Sequence, residues 1–265
     1  LSYFENFTLN VTDINDAPSI VDVADLTFTE VADASAQDLS INGTVNFNDV
    51  DAGDLVDIDA SLTTGAVWSG GTINPALALQ LTDGFVVTAV TDSAVPGSTS
   101  WDYSVTGADL DFLAVGETIT FTYTITATDI AGATGTDTVT VTIHGSNDDP
   151  VAQAVTANAS EDASSAITIN ADFNDLDVTD SHTFSIDTTG TVGTVVNNNN
   201  GTFSYDPNGQ FETLADGVTV TDTFKYTVDD GNGGVSTETV TVTITGQNDA
   251  PSIVDVADLT FTEVA

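Results

Sequence analysis

Four acidic patterns recur along the chain, each placing oxygen donors at fixed spacing. Asn-Asp-x-Pro occurs at 15–18 (Asn15, Asp16), at 147–150 (Asn147, Asp148, Asp149, Pro150) and at 248–251 (Asn248, Asp249), the middle copy lying outside the longer identical repeat. Phe-Asn-Asp-x-Asp-x-x-Asp occurs twice, as Phe47, Asn48, Asp49, Asp51, Asp54 and as Phe173, Asn174, Asp175, Asp177, Asp180. Asp129 and Asp230 each close an alternating run, 18 residues before a linker Asn. Glu30 and Glu161 each end the first strand of a unit. Carboxylate and amide oxygens are hard donors, and six to eight of them are what Ca²⁺ takes. A lone Asp-x-Asp would read as a solvated turn, since Asp favours turns; recurrence in register points to ligands instead. The loops are not EF-hands, because Gly53 and Thr179 stand at ligand positions and Asp54 or Asp180 replaces the obligatory Gly.

The rest of the composition sharpens this. The 265 residues carry 41 acidic groups and one base, Lys225, for a net charge of −40. Nucleic-acid binding needs Lys and Arg to displace counterions and is excluded; attraction to anionic lipid fails for the same reason. The 40% hydrophobic content and mean hydropathy of +0.10 are those of a folded chain, not of a disordered acidic one. One Lys cannot neutralise the carboxylates, which leaves multivalent cations. Cys is absent, so disulfides and thiolate sites are impossible. No run of 18 apolar residues exists to span a membrane as a helix. The chain starts at Leu1 and holds no Met, which reads as an excised piece or a mature fragment.

The elements that must position these acids read as strands. Residues 15–32 recur letter for letter at 248–265, so the sequence is one period of an array plus overhangs. The expected organisation is 1–14 as the last strand of a preceding repeat, 15–148 and 149–249 as two β-sandwich domains, and 250–265 as the first strand of the next repeat. Residues 118–128 alternate Ile119, Phe121, Tyr123, Ile125 and Ala127 with Thr; Val139, Val141 and Ile143 repeat the pattern, as do Phe224, Tyr226, Val228 and Val240, Val242, Ile244. Period-2 alternation predicts half-buried antiparallel strands, and Asn200-Gly201 predicts a hairpin. No stretch shows a convincing helical period. The fold expected is all-β: immunoglobulin-like sandwiches in tandem, end to end. The first domain carries extra residues, which predict inserted hairpins around 77–81 and 85–90.

In such a sandwich the loops holding Asp49, Asp51 and Asp129 face the linker before the first domain, and Glu30 faces the linker after it. At 147–150, Glu30 is expected to meet Asp175, Asp177 and Asp230. Without a cation that would be strongly repulsive.

The linker, the Asp-x-Asp loop and the Asp ending ITATD resemble the calcium motifs of cadherin repeats. The run LADGVTVTDTFKYTVDDGNGG, with TVTVTITGQNDAP, is similar to VCBS repeats of bacterial RTX-type adhesins; LAVGETITFTYTITATD, with TVTVTIHGSNDDP, is its counterpart in the first domain. The resemblance implies calcium-bridged, cadherin-like domains on a secreted bacterial surface fibre, monomeric, with neighbouring repeats as partners. It implies ligands Glu30, Asp111, Asn147 and Asp148 with Asp175, Asp177 and Asp230 at the central linker. At the first linker it implies Asp13, Asn15 and Asp16 with Asp49, Asp51 and Asp129, and at the last Glu161, Asn248 and Asp249. The chain departs from cadherins where Gly145 and Gly246 replace the Asp that Asp13 keeps, and where Leu113 replaces a Glu, leaving Asp111 and, in the second domain, Glu212 as the only acids there. Fewer ions per linker are therefore expected.

Two other function classes find less support in the residues. His144 and His182 lie in no nucleophile motif, and with 41 acids, paired carboxylates carry no information, so no enzyme is read here. Trp68 and Trp101, in or beside the insertion, could stack on sugars in a carbohydrate- or protein-binding module; Trp101, alternating with Tyr103 and Val105, reads better as core.

Overall fold

The computed structural model describes Glu5, residues 8–12, 14–32, 36–51 and 53–251, and Glu263. The chain divides into two compact units, Leu1–Asp148 with Leu176–Asp180, and Asp149–Asp175 with Ser181–Ala265.

Unit 1 contains β1 (Ser19–Ile20), β2 (Leu26–Thr29), β3 (Gln37–Asn48), β4 (Leu55–Trp68), α1 (Pro75–Thr82), β5 (Phe85–Val87), β6 (Val90–Ala94), β7 (Gly97–Ala108), β8 (Thr118–Asp129) and β9 (Thr134–His144). Its sheets run β1-β3-β7-β5 and β2-β9-β8-β4-β6, a two-layer sandwich in which only the β2–β9 pair is parallel. The Ile and aromatic residues of β8 lie inward and its threonines outward, as the alternation requires. Phe28 of one sheet meets Tyr103 of the other at 5.4 Å, and Phe85 stacks on Tyr123 at 4.6 Å.

The insertion corrects the expected hairpins. Residues 75–82 are a helix: Asn74 caps it by accepting from the Ala76 N–H at 2.9 Å, and Pro75 opens it. Leu77 and Leu81, four apart, are buried, whereas Leu79 is exposed. The Leu77-x-Leu79-x-Leu81 run mimics a strand, and the Asn-Pro start decides against it. Residues 85–90 form no hairpin either, since β5 pairs with β7 in one sheet and β6 with β4 in the other.

Unit 2 contains β10 (Val151–Ala152), β11 (Val155–Ser160), β12 (Ile167–Asn170), β13 (Phe173–Asn174), β14 (Thr183–Asp187), β15 (Thr194–Asn197), β16 (Thr202–Asp206), β17 (Thr219–Asp229) and β18 (Val235–Thr245). The sheets β11-β18-β17-β14 and β12-β16-β15 enclose a core of Phe203, Phe224, Tyr226, Val240 and Ile244; β10 pairs with β13. The β15–β16 turn carries Gly201 at φ +80°, where a β-carbon is disfavoured.

One buried carboxylate ties this unit together. Asp222 on β17, 4% exposed, accepts the Gly193 N–H at 2.8 Å, the Val192 N–H at 3.0 Å and the Tyr205 O–H at 2.7 Å. Burial, then the bond to Asp222, pushes the Tyr205 phenol up. Asp222→Ala strands these donors, so urea unfolding of unit 2 is expected to show a loss of about 2–4 kcal/mol. A loss under about 0.5 kcal/mol would refute this role.

No helix among the described residues is long and apolar enough to cross a membrane.

Candidate metal centre

Strand ends deliver the acids. In unit 1, Asp49 follows β3, Asp54 precedes β4 and Asp129 ends β8; their carboxylates offer oxygens within 4.8 Å of one another. Asp51 stands beside this group, its amide donating to Asp49 Oδ1 at 3.0 Å and its Oδ2 accepting the Asp16 N–H at 2.7 Å. Asn15 Nδ2 donates to Asp129 Oδ2 at 2.8 Å. That bond holds the Asp129 carboxyl below the usual range, assisted by backbone N–H groups of residues 131–133 and opposed by desolvation.

The second group of unit 1 is deeper. Glu30 follows β2, Asp111 lies between β7 and β8, and Asp148 follows β9; all three are buried, with oxygens within 4.8 Å of one another. Fully buried Leu110 and Leu113 pin the Asp111 loop, so the Leu at 113 serves the core. The Glu30 N–H donates to the His144 carbonyl at 2.8 Å, and Glu30 Oε2 accepts from the Ser146 N–H at 3.0 Å and from its hydroxyl. The Asp148 N–H donates to Asp177 Oδ2 at 2.9 Å.

Unit 2 repeats the scheme. Asp175 and Asp230 offer oxygens within 4.8 Å of each other. Asp230 Oδ1 gathers the N–H groups of Asn232, Gly233 and Gly234, and His182 Nε2 lies 2.7 Å from Asp175 Oδ2. Glu161 copies Glu30: its N–H donates to the Thr245 carbonyl at 3.1 Å and its Oε1 accepts the Gln247 N–H at 2.5 Å. The neighbouring group, Asp162, Glu212 and Asp249, is exposed throughout. Desolvation raises the Glu212 carboxyl, with Asp249, Asp162 and Glu161 adding repulsion.

Asn15, Asn147 and Asn248 each donate their side-chain amide to the carbonyl of the next residue, at 3.0, 3.2 and 3.4 Å. Asp13 lies outside the described residues, as does nearly all of the overhanging strand after Pro251. Sequence reasoning left Asp54 and Asp162 out of the ligand set. Asp54 was signalled as the third acid of its loop motif; Asp162 has no repeat signal, because Val31 holds the matching place after Glu30.

Three buried carboxylate oxygens, Glu30 Oε1, Asp49 Oδ2 and Glu161 Oε2, have no hydrogen-bond donor among the described residues. A buried anionic oxygen without a partner is costly. Clustered carboxylates of this kind fit a hard cation, and an all-oxygen set of carboxylates, carbonyls and amides favours Ca²⁺, Mg²⁺ or Mn²⁺ over softer metals.

Residues 147–246 match the family model of the bacterial cadherin-like domain. No curated protein matches the chain. Among solved structures, human CDH23 EC21–23 is similar at 15% identity and TM-score 0.49, covering 88% of this chain and 70% of that one. Protocadherin Gamma B7 extracellular cadherin domains 1–4 are similar at 17% identity and TM-score 0.44, covering 89% of this chain and 53% of that one. The chain thus spans about half the length of that protocadherin fragment. The described chain is nearly all β, two β-sandwiches in tandem, and the bacterial cadherin-like match falls on the second of them. In the cadherin-like domain of unit 2, Glu161, Asp175 and Asp230 stand at the ends of β11, β13 and β17, which makes its acids products of strand register and not of loop composition alone.

The tryptophans bear on the binding-module alternative. Trp101 is buried and stacks on Phe85 at 5.6 Å. Trp68 packs edge-on against Phe112 at 4.8 Å, and its indole N–H is taken by Glu117.

Proposed function

We propose that the chain is a calcium-rigidified pair of extender domains from a bacterial surface adhesin, of the VCBS type found in RTX adhesins. It would work extracellularly, with neighbouring repeats as its partners and a distal adhesive region held away from the cell. The reading extends to a non-catalytic, monomeric fibre. The observation that carries it is the recurrence of buried, donorless carboxylate oxygens at Glu30, Asp49 and Glu161 in a chain with one Lys.

Asp49, Asp54 and Asp129 would hold one ion, and Glu30, Asp111 and Asp148 another, with Asp175 and Asp230 supplying oxygens in unit 2. The ion supplies positive charge that replaces carboxylate repulsion with shared ligation, and so fixes the segments that carry the ligands. X-ray scattering from the full chain tests the mechanical part: Ca²⁺ is expected to lengthen and sharpen the distance distribution relative to EDTA. Superimposable distributions would refute rigidification by the ion.

A further inference from the structure

Glu117 belongs to none of the acidic groups, yet its hydrogen bonds reach Trp68 and the segments that carry Asp148 and Asp177. Its Oε2 accepts the Trp68 indole N–H at 2.8 Å, and its Oε1 accepts the Thr179 hydroxyl at 2.8 Å. Its carbonyl accepts the Gly145 N–H at 3.1 Å, three residues before Asp148. Trp68 meets Phe112 edge-on, and Phe112 follows Asp111 in the chain. Thr179 lies two residues after Asp177, which takes the Asp148 N–H. All of these residues belong to unit 1, whose 176–180 segment is a loop with Leu176 and Val178 exposed. Val178 is two-thirds exposed and Leu176 only partly covered, so polar ties contribute to setting the loop's place. The backbone at Gly70 closes over the Glu117 carboxylate so tightly that a β-carbon there would collide with it.

We propose that Glu117 is a positioning residue for the buried acidic cluster: its carboxylate ties the 176–180 loop to Trp68, fixing Asp177 against Asp148 without holding the ion. This rests on the calcium reading above. Groups behind metal ligands commonly set affinity through geometry. The charge of Glu117 is not what acts. A Gln carbonyl can still accept from Trp68, while its amide donates to the Thr179 oxygen.

The test is calorimetric Ca²⁺ titration of the full chain as wild type, Glu117→Ala, Glu117→Gln and Gly70→Ala, with tryptophan emission and EDTA melting curves alongside. Glu117→Ala is expected to weaken the tightest site roughly tenfold, with Glu117→Gln within about threefold of wild type. Gly70→Ala, which displaces the carboxylate and leaves its charge, should resemble Glu117→Ala. Red-shifted emission in Glu117→Ala, but not in Glu117→Gln, would report release of Trp68. If wild type binds no Ca²⁺, the calcium reading itself falls. If wild type binds and Glu117→Ala binds equally, positioning is refuted. If Glu117→Gln is as weak as Glu117→Ala, charge and not geometry is responsible, and the proposal is equally overturned.

Discussion

Ca²⁺ at 10 mM is expected to raise the melting temperature by roughly 5–10 °C for each site filled, and EDTA to abolish the increment. The size follows from mass action. Extracellular calcium modules bind on the order of 10⁻⁴ M, so 10 mM is about 100 times the dissociation constant and adds about 2.7 kcal/mol per site. In a chain of this size each kcal/mol is worth about 2–4 °C. The donorless oxygens of Glu30, Asp49 and Glu161 place this energy in the folded state, where they lie buried. Mg²⁺ at the same concentration should recover less than half, since it demands a tighter octahedron and dehydrates reluctantly. A melting curve indifferent to EDTA would remove calcium from the account.

Asp177→Ala and Asp249→Ala are expected to part widely. Asp177 is 1% exposed and its Oδ2 takes the Asp148 N–H at 2.9 Å, so its loss should weaken the Glu30 cluster's calcium affinity at least tenfold. Asp249 sits with Asp162 and Glu212, all exposed and already mutually repulsive. Its removal should move calcium-dependent melting by only about 1–2 °C, as for surface changes generally. Melting in EDTA separates the calcium effect from the hydrogen bond that Asp177→Ala also deletes. Equal costs would show that burial does not distinguish strong clusters from weak ones.

Period-2 regions were legible because one physical rule dictates them. Residues 118–128 alternate in sequence and pair residue for residue with β9, from Thr118–His144 to Thr128–Thr134. The insertion was not, because Leu77, Leu79 and Leu81 satisfy both a strand and a short helix; only the Asn74 cap and Pro75 separate the two. Of the acids, those in repeated motifs could be found by self-comparison. Asp111 stands outside any repeated pattern and was reached through family resemblance alone. Asp162 was lost because Val31 breaks the repeat, and Asp54 because it was read as a motif marker and not as a donor. The role of Glu117 is invisible to spacing, since its partners lie 49 and 62 residues away in the chain.

The parallel pairing of β2 with the last strand of unit 1, and of β11 with the last strand of unit 2, has a mechanical consequence. β2 lies along β9 over four residue pairs and β11 along β18 over six. Pulling a unit by the chain on either side drives these strands past one another lengthwise. The load is shear, and the cross-strand bonds of the pair must fail together. An antiparallel pair joined by a tight turn would peel open one bond at a time under the same pull. Under tension, that geometry makes each unit resist as a patch and not as a zipper.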